Sequence, residues 1–182
     1  MCQRVVLCGS PLAGKKRVLD ALAKHLGTIM PTVMPRMTDG EPLLVSWEAR
    51  FPGAGIAQFE TFYGVCFTYD EAVVQMLSRP LSAIIYVLRP LTDPLFEETW
   101  RESEQDRFEI YSTAAQKFQK GWDDVPWLFI KNRSWAPDPT WMTELIPAKL
   151  STLVLDAYPE SGEGIVALTN AIKDLLIGTR QR

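Results

Sequence analysis

The chain has 182 residues, 47% of them hydrophobic and 23% charged, with a formal net charge of −3. Such a length and balance fit one ordinary globular domain, residues 1–182, with a sizeable core, and exclude a whole-chain attraction to nucleic acid. The longest strongly apolar run, Leu81 to Leu88, is too short to span a bilayer, and a single histidine leaves little room for histidine triads or His-rich metal sites.

In chain order, Met1 leads straight into a strand pattern, so no secretory leader is expected. The last residues, Gly178 to Arg182, carry no prenylation cysteine. Cys2, Cys8 and Cys66 have no metal-like spacing and form no disulfide framework, which fits a reduced cytoplasmic setting without direct membrane insertion. Cys8 reads as core.

Arg4 to Cys8 is a short apolar strand, followed by Gly9-Ser10-Pro11-Leu12-Ala13-Gly14-Lys15-Lys16 and then a helix over Lys15 to Leu26. Strand, glycine-bounded loop and helix form the context of a phosphate-binding P-loop. Glycines let the backbone fold tightly so that successive amides can surround an anion. The helix start adds free N–H groups and the positive end of its dipole. Lys15 is placed to reach the outer phosphates. The residue after that lysine should be Ser or Thr, whose hydroxyl holds Mg²⁺, and here it is Lys16. Val18, Leu19, Leu22 and Leu26 form the helix's apolar face, Gly27 stops it, and His25 reads as a surface residue in its last turn.

Thr28 to Pro42, with three prolines and no clear period, reads as a loop. Leu43 to Ala49 and Ile56 to Phe62 read as strands joined by the turn Pro52-Gly53-Ala54-Gly55, and so should pair antiparallel. A helix follows over Asp70 to Leu77, then a buried strand over Ala83 to Leu88. Asp93-Pro94 opens a long helix closed by Lys120-Gly121, its apolar face built from Phe96, Trp100, Phe108, Tyr111, Ala115, Phe118 and Trp122. Within it, Arg101 to Arg107 is almost wholly charged or polar and reads as a solvated face. Val125 to Ile130 is a strand, Pro139 to Leu145 a helix, Ser151 to Leu155 the last strand, and Ile165 to Leu176 the last helix. Trp122, Trp127, Trp135 and Trp141 read first as core and loop packing, and secondarily as interface aromatics.

Strand–P-loop–helix, hairpin, helix and three strand–helix units together resemble the Ras-like small GTPases, and within them the bacterial MglA-type (gliding-motility) GTPases. Three stretches carry the resemblance. They are Gly9 to Lys15; Thr61-Phe62-Tyr63-Gly64-Val65-Cys66-Phe67, similar to T-x-P-G-Q-x-F-Y; and Gly162-Glu163-Gly164-Ile165, similar to G-x-G-V before the last helix. The resemblance implies an α/β, three-layer P-loop fold with a mostly parallel six-stranded sheet and one antiparallel hairpin. It also implies GTP or GDP as ligand, and protein partners such as a roadblock-type regulator.

The departures set the expected function. Val65 stands where a Gln orients the attacking water, and Lys16 where a hydroxyl holds Mg²⁺, so Mg²⁺ is doubtful. Lys131-Asn132-Arg133-Ser134 matches the guanine-reading N-K-x-D without its carboxylate, and Asp156-Ala157 faintly echoes the base-contacting S-A-K loop. An ammonium at Lys16 can stand in for part of the metal's charge, though not for its octahedral coordination. The leading expectation is a pseudo-GTPase without catalytic residues that acts by binding proteins. An active but slow GTPase switch is the alternative. A small-molecule kinase using Arg101, Arg107 or Arg133 as phosphate clamps, and a structural scaffold on a relic P-loop, are further ones.

Overall fold

The computed structural model describes residues 2–29, 43–63, 69–88, 95, 97–118, 125–132 and 152–180. Within them, β1 (Cys2–Cys8), β2 (Leu43–Phe51), β3 (Gly55–Tyr63), β4 (Ala83–Leu88), β5 (Trp127–Asn132) and β6 (Thr152–Ala157) form one sheet in the order β2-β3-β1-β4-β5-β6. β2 and β3 are antiparallel; the other neighbours are parallel. The helices are α1 (Lys15–His25), α2 (Tyr69–Leu77), α3 (Glu97–Phe118) and α4 (Ile165–Arg180). The three-layer α/β architecture and its hairpin are as the sequence implies.

Side-chain alternation divides the sheet's two faces. Val5 and Leu7 of β1, Ile85 and Val87 of β4, and Leu128 and Ile130 of β5 share one core with Val18, Leu19 and Leu22 of α1 and Leu168, Ile172 and Leu176 of α4. Their neighbours Val6, Cys8, Ile84, Tyr86, Trp127 and Phe129 face the other way, onto Val73 and Met76 of α2 and Phe108 and Tyr111 of α3. With both faces covered, all six residues of β4 are buried, as a central parallel strand requires. Under α3 the filling is aromatic: Phe108 lies edge-on to Trp127, with ring centres 5.8 Å apart.

Several boundaries differ from the sequence reading. The hairpin is longer because the alternation Val45, Trp47, Ala49 continues to a buried Phe51, which pairs with Gly55. β5 and β6 extend to Asn132 and Ala157, because the ladder goes on pairing Lys131 with Asp156 and Asn132 with Ala157. Asn132, Asp156 and Ala157 are therefore strand ends rather than loop residues. Phe118, expected inward, is 44% exposed. The Asp93-Pro94 start and Lys120-Gly121 close of the long helix, the helix at Pro139 to Leu145, residues 30–42, Cys66, Trp122, Trp135 and Trp141 lie outside the described residues. Trp127 is core.

One polar clasp locks the α2 side of the sheet. The buried Glu60 carboxylate of β3 accepts from Arg4 of β1 and Arg79 beyond α2, each at 2.7 Å. Arg4 also donates to the carbonyl of Met76, in the last turn of α2, and to those of Arg79 and Pro80 beyond it. No helix among the described residues is long and apolar enough to cross a membrane.

Candidate functional site

The P-loop lies where β1 ends and α1 begins, at the carboxyl edge of the parallel strands, where open α/β sheets place their ligands. Two close approaches fix its shape. Gly9 has φ 125°, and a Cβ there would stand 2.3 Å from the Val87 carbonyl oxygen of β4. Gly14 has φ 86°, and its Cβ would meet the Asn132 amide nitrogen at 2.1 Å. That amide donates to the Ala13 carbonyl at 2.8 Å, so the end of β5 holds the loop's second half. Leu12, 64% exposed at the loop tip, also has positive φ, 65°. Ser10 is buried and Pro11 half-buried, and the Ala13 amide closes a turn onto the Ser10 carbonyl at 3.2 Å.

Gly14 caps α1 in a left-handed conformation, and no side chain takes the first-turn amides. The helix start is therefore chemically ready for an anion. Lys15 is not extended towards one. Only 5% exposed, it donates to the carbonyls of Gly9 at 3.1 Å and Ser10 at 2.6 Å, and its ammonium stands 5.1 Å from the Tyr69 ring centre. Burial lowers its pKa from 10.5 to about 7; Cys8, Glu104 and Asp70 oppose that shift and Arg107 adds to it. Burial also raises the Cys8 thiol to about 12, so it is an inert core residue near neutral pH.

The charged middle of α3 is solvated at Arg101, Glu102, Gln105 and Asp106, as the sequence reading has it, but it turns one acid inward. Glu104 is 2% exposed, and its carboxylate accepts from Ser10 Oγ and, at 3.4 Å, from the Tyr86 hydroxyl. Arg107 donates to Ser10 Oγ at 3.3 Å, Ser103 Oγ at 2.9 Å and Asp70 at 3.3 Å. Asp70 also accepts from the Tyr111 hydroxyl at 2.5 Å. Burial raises the pKa values of Tyr69, Tyr86 and Tyr111, keeping them as phenol donors. The sequence held the signal: Glu104 lies four residues before Phe108, seven before Tyr111 and eleven before Ala115, on the stripe that faces the sheet. Its charge concealed its position.

Lys16 does not take the metal's place. Its ammonium pairs with Asp20, one turn along α1, at 2.7 Å on a partly exposed face. Position 16 does not fit Mg²⁺: the motif's hydroxyl is replaced by a cation engaged elsewhere. Thr61, at the end of β3, has a buried hydroxyl without a hydrogen-bond partner, but a lone hydroxyl makes no metal site. Gly64 and Val65 lie outside the described residues.

On the base side, Asn132 is committed to the P-loop, while Lys131 and Asp156 stand side by side on β5 and β6. If Asn132 takes the Asn of N-K-x-D, the fourth position falls on Trp135, again without a carboxylate. Gly164, φ 76°, presses on the other strand end: a Cβ there would be 2.2 Å from the Asp156 carbonyl oxygen. The Gly162-Glu163-Gly164 turn thus docks α4 against β6.

No family model matches the chain, and no curated protein matches it in sequence. In structure the chain is similar to the small GTPase Arl6 (BBS3) from Trypanosoma brucei with bound nucleotide analogue GppNp, at 17% identity and a TM-score of 0.62 over 100% of each chain. The chain has the small-GTPase fold.

Proposed function

We propose that this chain is a degenerate small-GTPase-like protein, of the MglA type its motifs resemble, that acts in the bacterial cytoplasm by binding protein partners. Guanine nucleotide binds it weakly and without Mg²⁺, or not at all. The observation that carries this reading is the residue at position 16: where the motif needs a hydroxyl to hold the metal beside the phosphates stands a lysine, paired with Asp20. The absent base-side carboxylate and the Val65 substitution point the same way. A roadblock-type regulator is the partner class that the resemblance supplies.

An active kinase or GTPase is less well supported. Either needs a metal near the P-loop, and Arg107, a candidate phosphate clamp, is bonded to Ser10, Ser103 and Asp70. The test is titration with fluorescent GTP, GDP and ATP analogues, each with and without Mg²⁺, beside Lys15→Ala. Weak Lys15-dependent binding indifferent to Mg²⁺, or none, fits the proposal. Tight Mg²⁺-dependent binding contradicts it.

A further inference from the structure

The P-loop lysine is enclosed by its own loop and by the start of α2. The Lys15 ammonium is taken up by its own loop's carbonyls and by the Tyr69 ring, and neither residue is more than 5% exposed. Tyr69 is itself tied to the loop, its hydroxyl donating to the Gly9 carbonyl at 3.1 Å. The next residue, Asp70, is clasped by Arg107 and Tyr111 of α3, so the first turn of α2 is pinned from both sides.

We infer that Tyr69 is a built-in seal on the phosphate site: its ring excludes anions from Lys15 until the first turn of α2 moves. A protonated amine on an aromatic face is a favourable contact, strengthened when water is excluded. The closed arrangement therefore competes with phosphate for the same ammonium. An anion bound at Lys15 and the closed position of α2 exclude each other, and each weakens the other equally. Whatever draws α2 off the P-loop raises anion affinity, and an anion at Lys15 releases the face of α2 that carries Tyr69. This inference rests on the P-loop being the phosphate site of the proposed function.

The test uses the full chain and inorganic pyrophosphate, titrated calorimetrically, with the Lys15 ammonium followed by NMR of its Cε carbon over pH. Tyr69→Ala should bind pyrophosphate at least about tenfold more tightly than the natural chain, as expected if the open form is a tenth of the population or less. Its Lys15 midpoint should rise from about 7 towards the ordinary lysine range as water reaches the amine. Tyr69→Phe keeps the ring and should stay close to the natural chain; binding as tight as in Tyr69→Ala overturns the ring's role. Should Tyr69→Ala fail to fold, Tyr111→Phe removes one donor of the Asp70 clasp with the Tyr69 ring and all charges intact and should still tighten binding; no change overturns the seal. Equal pyrophosphate affinity in the natural chain and Tyr69→Ala overturns the seal and leaves the nucleotide reading standing. No pyrophosphate bound by either overturns the seal and counts against nucleotide binding as well, whatever the midpoint does.

Discussion

The ammonium of Lys16 lies 2.7 Å from the carboxylate of Asp20, four residues on along α1. The pair is partly exposed, and such i,i+4 ion pairs contribute only about 0.3–0.5 kcal/mol. Lys16 is thus held away from the phosphate cradle by a weak contact, and the loss of the metal ligand lies in residue type more than in geometry.

Lys16→Thr should therefore change thermal stability by no more than about 0.5 kcal/mol. It restores the hydroxyl that the motif asks for, so nucleotide affinity should become sensitive to Mg²⁺ where the natural chain's is not. Paired titrations with Mg²⁺ and with chelator check this. A variant as indifferent to Mg²⁺ as its parent would mean that more of the metal site than position 16 has been lost.

Asn132→Ala removes the side chain that joins β5 to the P-loop. The Ala13 carbonyl loses its donor beside a tightly packed glycine, and the expected cost is about 1–3 kcal/mol in chemical denaturation. Gly14→Ala should cost more, because it combines a backbone conformation at φ 86° with a collision against the Asn132 amide.

Stability should climb with pH from about 7 to about 9. Burial lowers Lys15 from 10.5 to about 7, so over that window the unfolded chain holds a proton that the folded chain has lost. Unfolding then takes up protons and becomes harder as pH rises. Above about 9 the buried Cys8 acts in the opposite sense, since the unfolded thiol ionises and the folded one, near 12, does not. Subtracting the profile of Lys15→Met isolates the lysine: the rise between pH 7 and 9 should vanish in the variant.

Glu104→Gln tests the α3 contribution. Glu104 is among the groups that favour the charged form of Lys15, so its neutralisation should lower the lysine midpoint further. The buried contacts with Ser10 and Tyr86 weaken as well, for a loss of about 1–3 kcal/mol. An unmoved midpoint would place Glu104 outside the electrostatics of the site.

Most of the fold was legible because its signals are local. The glycines bounding the P-loop, the alternation through Val45, Trp47 and Ala49, and the unbroken run Ala83 to Leu88 each mark one element with its own period. The strand ends were less legible. Lys131, Asn132 and Asp156 look like loop residues, yet continue the ladder because their partners do. In the site, the loop's glycines and lysine were readable, while their companions were not. Tyr69 and Asp70 are separated from Gly9 by sixty residues of chain, and Glu104 and Arg107 by still more. Only the packing of α2 and α3 against β1 and β4 brings them to Ser10 and Lys15. A buried charge was read as solvated because charge usually means surface. The inward stripe of α3 was the stronger signal.

The most direct test of the account is GTP turnover by the purified chain with Mg²⁺, measured as phosphate release beside Lys15→Ala. Release no faster than in the variant is the predicted result. Multiple turnover that needs Mg²⁺ and is abolished by Lys15→Ala would show a working GTPase and contradict the account.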